Sequence, residues 1–259
     1  MSRRRRPGLP VLSVNRLVPN ALTLLGLCAG LTAVRLALIG RWEVAIAAIA
    51  VAMLMDALDG RIARLMGATS DFGAQLDSLA DAISFGVAPA LIVYLWALDQ
   101  SGGLGWALAL VFAVACAMRL ARFNTSLTAS KPYPWSDRFF TGVPAPAGAG
   151  LALLPMVLSF ELGWGILSSA WLNGLMLLSV ATLMVSKIPT FSAKRVKVPP
   201  SYVGLALIAL GALIAFLVST PWVTLGLIGV GYLASIPISY LIFRRWEARA
   251  AAQSPSEPA

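Results

Sequence analysis

The sequence predicts an all-α fold, a polytopic membrane protein of about eight transmembrane helices, and three observations carry that expectation. Of 259 residues, 59% are hydrophobic and only 12% charged, with a mean hydropathy of +0.82, whereas a soluble domain carries about 25% charged residues. The apolar residues gather into runs near the ~20 residues that a bilayer crossing needs. Basic residues fall in the short segments between runs and alternate sharply from side to side, which is the positive-inside pattern. The net charge of +9 is therefore read as topology; with no basic face on a soluble domain, the chain is expected to bind no nucleic acid.

Taken in order, residues 1–15 form a basic cytoplasmic tail opening on Arg3 to Arg6. Pro7, Pro10 and Pro19, and the absence of a small-residue cleavage site, argue against a signal peptide. Crossings are expected at 20–40, 43–66, 74–98, 104–123, 143–161, 168–186, 201–219 and 222–243. Pro19 stands where a helix start tolerates it, and Asn20 or Thr23 is placed either to cap that helix or to face a polar site. Arg61 and Arg64 close the second span; Arg119, Arg122, Lys131 and Arg138 follow the fourth; Lys187, Lys194, Arg195 and Lys197 follow the sixth; Arg244, Arg245 and Arg249 follow the eighth. The opposite loops hold no basic residue apart from Arg35 and Arg41, so both termini are expected in the cytoplasm.

The longest loop, 124–142, carries Lys131, Pro132, Pro134, Trp135 and Arg138, and loops of that length are often functional. GVPAPAG at 142–148 predicts a kinked entry to the fifth span that needs buried support. Spans seven and eight hold almost no ionisable residue and read as lipid-facing. Trp106, Trp164, Trp171, Trp222 and Trp246 fall near span ends, as an interfacial belt would place them. The organisation expected is a catalytic core over 16–186, two additional helices over 187–245 and a disordered tail over 246–259. Cys28 and Cys116 lie in apolar runs and read as packing residues. The chain has no histidine, which removes imidazole-zinc, haem and Ser-His chemistry.

One stretch breaks the apolar pattern. In DALDGRIARLMGATSDFGAQLDSLAD, Asp56 and Asp59 are three residues apart and Asp77 and Asp81 four apart, so on two helices each pair projects from a single face. A carboxylate in hydrocarbon costs about 2.5–3.5 kcal/mol on insertion scales, and four clustered ones need compensation. A hard divalent cation such as Mg, Mn or Ca supplies it, since no Cys or His is nearby to favour Zn or Cu. Gly60 and Gly73 remove side-chain bulk beside the aspartates, which lets a backbone or a ligand come close. The bland reading, a buried ion network joining two helices, would need basic partners in number, and only Arg61 and Arg64 are near in sequence.

Asp56, Asp59, Gly60, Ala63, Arg64, Gly73, Asp77 and Asp81 form D-x2-D-G-x2-A-R-x8-G-x3-D-x3-D without a departure. That pattern resembles the signature of the CDP-alcohol phosphotransferases, membrane enzymes that join a CDP-activated group to an alcohol and release CMP. The resemblance implies that Asp56, Asp59 and Asp77 bind divalent metal, Mg or Mn. It makes Asp81 the base with a possible further role at the metal, and sets Gly60, Ala63, Arg64 and Gly73 around the nucleotide, with Asn20 and Thr23 on the same side. LVPNALTLLG at 17–26, DSLADAISFGVAPA at 77–90, RLARFN at 119–124 and FTGVPAPAGAG at 140–150 look like the phosphatidylserine synthase branch found in many bacteria and archaea. That branch implies CDP-diacylglycerol and L-serine as substrates, membrane lipid as surroundings, a homodimer, and an inner-membrane site open to the cytoplasm.

The aspartate motif is shared by sister enzymes that use glycerol 3-phosphate or an inositol phosphate, so it does not name the acceptor. Arg119 and Arg122, with Asn124, are the residues proposed for the acceptor: enough to pair a serine carboxylate and sparse for a phosphate dianion. Their alternative role is to anchor the span at the cytoplasmic surface. A reading of another class is a cation transporter, since intramembrane carboxylates mark ion pathways. The outer halves of the spans, however, offer almost no polar group for a route across.

Overall fold

A computed structural model describes residues 14–126, 139–191 and 199–253. Helices α1 (Val14–Leu38) and α2 (Trp42–Leu65) pack on one another as a hairpin closed through Gly40, whose φ of 71° a side chain would resist. A short loop then starts α3 (Asp71–Asp81), where the Ser70 hydroxyl caps the helix by accepting from the Gly73 N–H at 3.1 Å. The chain continues through a π-helical turn, Ala82–Val87, into α4 (Ala88–Val93), then through a second π-helical turn and a 3₁₀ turn. Gly102, with φ 59°, reverses it into α5 (Gly102–Ser126).

The π-turn has a local cause. Pro89 has no N–H and its ring crowds the carbonyl four residues back, so the helix widens and the Ala88 N–H bonds the Ile83 carbonyl instead. The widened turn lies directly after Asp81 and carries Ser84 and Phe85 inward, both buried.

Beyond α5, β1 (Phe139–Thr141) pairs antiparallel with β2 (Pro189–Phe191), Phe139 opposite Phe191 and Thr141 opposite Pro189. Between them run α6 (Ala145–Ala152), α7 (Leu154–Leu162) and α8 (Ala170–Val185). The kink expected at GVPAPAG is the extended entry at Pro144, and it is supported from behind. Gly142, at φ 76°, sits so close to the end of α8 that an added Cβ would stand 2.7 Å from the Met184 carbonyl oxygen. α9 (Val203–Ser219) and α10 (Pro221–Gln253) complete the described chain.

Helix therefore occupies most of each expected span, but among the described residues four helical stretches are long and apolar enough to cross a membrane. They are Leu17–Leu38, Asp71–Thr125, Ala145–Leu162 and Pro221–Arg249, with α8 and α9 as shorter apolar helices. The 55-residue stretch Asp71–Thr125 contains both the third and fourth expected spans, because it doubles back at Gly102. α2 is 24 residues long but carries Glu43 in its first turn and Asp56, Asp59, Arg61 and Arg64 toward its end, charges that make it less apolar. Two expectations are corrected. α10 is helical as far as Gln253, so the part of the presumed tail from 246 to 253 continues the helix; the remainder, 254–259, lies outside the described residues. α10 is also more than a lipid-facing helix: it packs on α7 and β2, and Ser239 donates to the Pro189 carbonyl at 2.6 Å. α9, by contrast, buries no residue.

Close packing of small residues holds the centre together, as is usual where lipid removes any hydrophobic drive between helices. A Cβ at Gly30 on α1 would stand 2.6 Å from the Ser84 hydroxyl and 2.9 Å from its Cα, and one at Gly86 would stand 3.0 Å from the Cys116 Cβ. Cys116 is buried here, as a packing residue should be, whereas Cys28 is exposed on α1. Gly30→Ala is expected to push α1 off the π-turn and destabilise by about 1–3 kcal/mol. Thermal unfolding in detergent checks this: an unchanged midpoint would mean that the two helices are not in contact at Gly30.

Candidate functional site

The four motif aspartates come together because α1 packs against both α2 and α3 and holds them on either side of a cleft. Carboxylate oxygens of Asp56, Asp59 and Asp77 lie within 4.8 Å of one another. Asp81 lines the same cleft, with Thr23, Gly26, Ala52, Ser84 and Phe85. The open volume is about 10 Å³, room for one water-sized body.

Electrostatics identify what is missing. At the 4.8 Å separation and an effective dielectric of about 20, two carboxylates repel by about 3 kcal/mol. Among the described residues no arginine or lysine forms an ion pair with any of the four, so the protein-only ion network is not what assembles them. A bound cation would supply countercharge there. An all-carboxylate set on two helices, with no sulfur or imidazole, fits a hard divalent cation. The donor set does not choose between Mg and Mn.

Each carboxylate is steered locally. Asp59 is the deepest, 4% exposed, and accepts a 2.6 Å hydrogen bond from the Thr23 hydroxyl, which also lies 3.2 Å from the Pro19 carbonyl. Burying a carboxylate is tolerated when such a bond replaces water. Thr23, expected beside the nucleotide or as a cap, is thus placed to hold the Asp59 carboxylate. Asn20 is half-buried and faces the start of α3, where a Cβ at Gly73 would stand 3.1 Å from its Oδ1. Gly73 accordingly serves the approach of α1 to α3. Gly60 differs, since an added Cβ would meet only the Arg64 guanidinium, at 3.5 Å. Among the described residues no other group fills that space, which leaves it open to a ligand. Ala63 is half-exposed and Arg64 exposed at the same end of α2.

The three residues expected to bind the acceptor do not converge. α5 runs back along α3 and α4, with Gly86 against Cys116 and the Asn124 Nδ2 donating to the Ser78 hydroxyl at 2.9 Å. That register brings the 119–123 stretch level with Asp81. Arg119 is half-buried, stacks over Phe123 at 5.5 Å from the ring centroid, and lies close enough for its charge to act on Asp81 and Asp56. Arg122 points elsewhere. Its Nη1 and Nη2 donate to the Ser186 and Val185 carbonyls at 3.2 and 2.5 Å, satisfying groups left bare at the end of α8. The guanidinium fork expected to grip a carboxylate is used as a helix cap, and Asn124 is engaged one position from Asp77. Lys131 to Arg138, the other cations considered, lie outside the described residues.

Beside the polar cleft runs an apolar groove of about 280 Å³ between α2, α6, α7 and α10, lined by Ile49, Met53, Gly150, Leu154, Ile228 and Tyr232 among others. Met53 precedes Asp56 by one turn of α2, so the groove reaches to within one helical turn of the carboxylates. Sequence reasoning passed over it because its walls are ordinary apolar residues from four separate segments. It passed over Ser84 for a related reason: a serine in an apolar run carries no signal until the π-turn directs it inward.

Comparison with known proteins bears on this arrangement. The family model described as CDP-alcohol phosphatidyltransferase matches residues 16–185, and a second, CDP-alcohol phosphatidyltransferase 2, matches 201–237. The chain is 39% identical over 233 residues to the CDP-diacylglycerol–serine O-phosphatidyltransferase of Mycobacterium leprae, covering 89% of this chain and 76% of that protein. It is 38% identical over 234 residues to the protein of that name from Mycobacterium tuberculosis, covering 90% and 81%. A Helicobacter pylori protein of that name is 38% identical over 183 residues, 70% of this chain and 74% of its own.

Proposed function

The chain belongs to the CDP-alcohol phosphatidyltransferase family, and on that premise we propose that it is a phosphatidylserine synthase, transferring the phosphatidyl group of CDP-diacylglycerol to the hydroxyl of L-serine and releasing CMP. The observation that carries this reading is the cleft itself: three carboxylates within 4.8 Å that form no ion pair among the described residues, and a fourth beside them. The relatives' names support the choice of donor and acceptor.

Asp56, Asp59 and Asp77 would hold a divalent cation, Mg or Mn, which supplies positive charge to the pyrophosphate of the donor. Thr23 fixes the Asp59 carboxylate for that task. The open side of Gly60 and the exposed Arg64 fork suit the nucleotide and its phosphates, since guanidinium matches phosphate oxygens bidentately. Ala63 and Gly73 complete that wall, Gly73 by letting α1 bring Asn20 close. The apolar groove beside Met53 suits an acyl chain of the lipid. Asp81 takes the proton of the serine hydroxyl while its oxygen forms a bond to the phosphatidyl phosphorus. The bond from that phosphorus to CMP breaks, and CMP leaves with the electron pair.

The acceptor end favours a carboxylate over a phosphate dianion. With Arg122 capping α8, Arg119 is the one cation of the RLARFN stretch that faces the carboxylates. The chain is further read as eight crossings in the inner membrane with both termini and the cleft on the cytoplasmic side, and as a homodimer. The test is CMP release from purified protein given CDP-diacylglycerol with L-serine, glycerol 3-phosphate or inositol phosphate in turn. Release with serine alone is expected. Release with a phosphorylated acceptor would move the assignment within the family, and no release with any of them, together with cation uptake into vesicles, would replace it by transport.

A further inference from the structure

Two polar side chains near the aspartate cleft make no hydrogen bond among the described residues. One is Tyr232 on α10, whose hydroxyl is buried. Thr190 on β2 is near it, its own hydroxyl donating to the Gly142 carbonyl at 2.8 Å, but the two oxygens do not meet in hydrogen-bond geometry. Arg119 on α5 is half-buried and, among the described residues, donates no hydrogen bond; its contact is the face of Phe123. The two are within electrostatic reach of each other, and Arg119 is within reach of Asp81 and Asp56 as well. Tyr232 also lines the apolar groove that reaches to within one helical turn of Asp56.

Buried polar groups are nearly always paired, and an unpaired one points to a missing partner. Guanidinium offers only donors and the phenol one donor beside its acceptor oxygen, so satisfying both sets of donors at once calls for a group that accepts from each. The group that answers both is an oxyanion. We propose that Arg119 and Tyr232 form an oxyanion-holding pair beside Asp81, so that α10, which lies outside the 16–185 match, contributes a residue to substrate binding. The oxyanion is either the carboxylate of the amino-acid acceptor or a phosphate of the CDP-lipid. The pair positions a substrate and takes no proton; the proposal rests on the transferase reading above.

Tyr232→Phe keeps the ring and removes only the hydroxyl. In substrate-free protein the thermal midpoint should stay or rise, because an unsatisfied buried group is lost; a clear fall would show that the hydroxyl is bonded within the fold and overturn the proposal. In kinetics the same variant should raise the KM of one substrate roughly tenfold or more with kcat little changed, as loss of a hydrogen bond to a charged group would. A rise for serine assigns the carboxylate, and a rise for CDP-diacylglycerol assigns the phosphate. No rise for either overturns the pair. Arg119→Lys provides the second arm: combined with Tyr232→Phe, it should raise KM by less than the product of the single effects, because the two groups share one oxyanion. A full product would overturn their pairing. Should wild-type protein release no CMP with serine and CDP-diacylglycerol, the transferase reading has failed, a result separate from any difference among the variants.

Discussion

Asp81→Asn is expected to lower turnover by about two to four orders of magnitude, the usual contribution of a positioned general base, while CDP-diacylglycerol still binds. Asparagine has the size and polarity of aspartate, so the cleft keeps its shape; what it loses is the ability to accept the serine proton. Asp81 is suited to that role by position. It closes α3 one turn beyond Asp77 and directly before the π-turn that carries Ser84 and Phe85 into the same cleft. Asp56, Asp59 and Asp77 supply the close-set triad, so donor binding, measured by equilibrium titration, should survive. Near-normal turnover in the variant would pass the role of base to water or another carboxylate.

Chelation is expected to abolish activity altogether, and restoring Mg or Mn to recover it. Three carboxylates held within 4.8 Å without a cation of their own repel one another and the incoming pyrophosphate alike. Asp77→Asn should weaken metal affinity without preventing membrane insertion, because it removes one charge from the triad and leaves the apolar length of Asp71–Thr125 intact. Calorimetric titration of metal into wild type and variant, alongside turnover, checks both halves. Full activity in excess chelator would mean that the triad binds no metal that matters for the reaction.

The motif aspartates were legible in the sequence because their information is local. A spacing of three or four residues fixes a shared face on any helix, and Asp56 with Asp59, and Asp77 with Asp81, need nothing more. That the two faces meet was carried by the motif's resemblance to a family, and periodicity alone would not have joined them. Contacts over long separations were not legible. Thr23 reaches Asp59 across 36 residues, and nothing in NRLVPNALTLLG distinguishes a cap from a carboxylate's partner. Arg122 reaches the end of α8 across more than 60 residues; three positions from Arg119 on the same helix, it turns to a different neighbour. The β1–β2 ribbon is three residues long on each side, too short for alternation to register. The span count illustrates the converse: eight apolar runs were visible, yet the charges that make α2 useful to the site are what separate it from the helices apolar enough to cross a membrane.

The most direct test of the account follows the oxygen atom. Purified protein given CDP-diacylglycerol and L-serine carrying heavy oxygen in its hydroxyl should yield phosphatidylserine that retains the label between serine and phosphorus, with unlabelled CMP formed in equal amount. Label appearing in CMP, or CMP formed alongside phosphatidic acid with no labelled phosphatidylserine, would show that the serine hydroxyl does not attack the phosphatidyl phosphorus and would contradict the account.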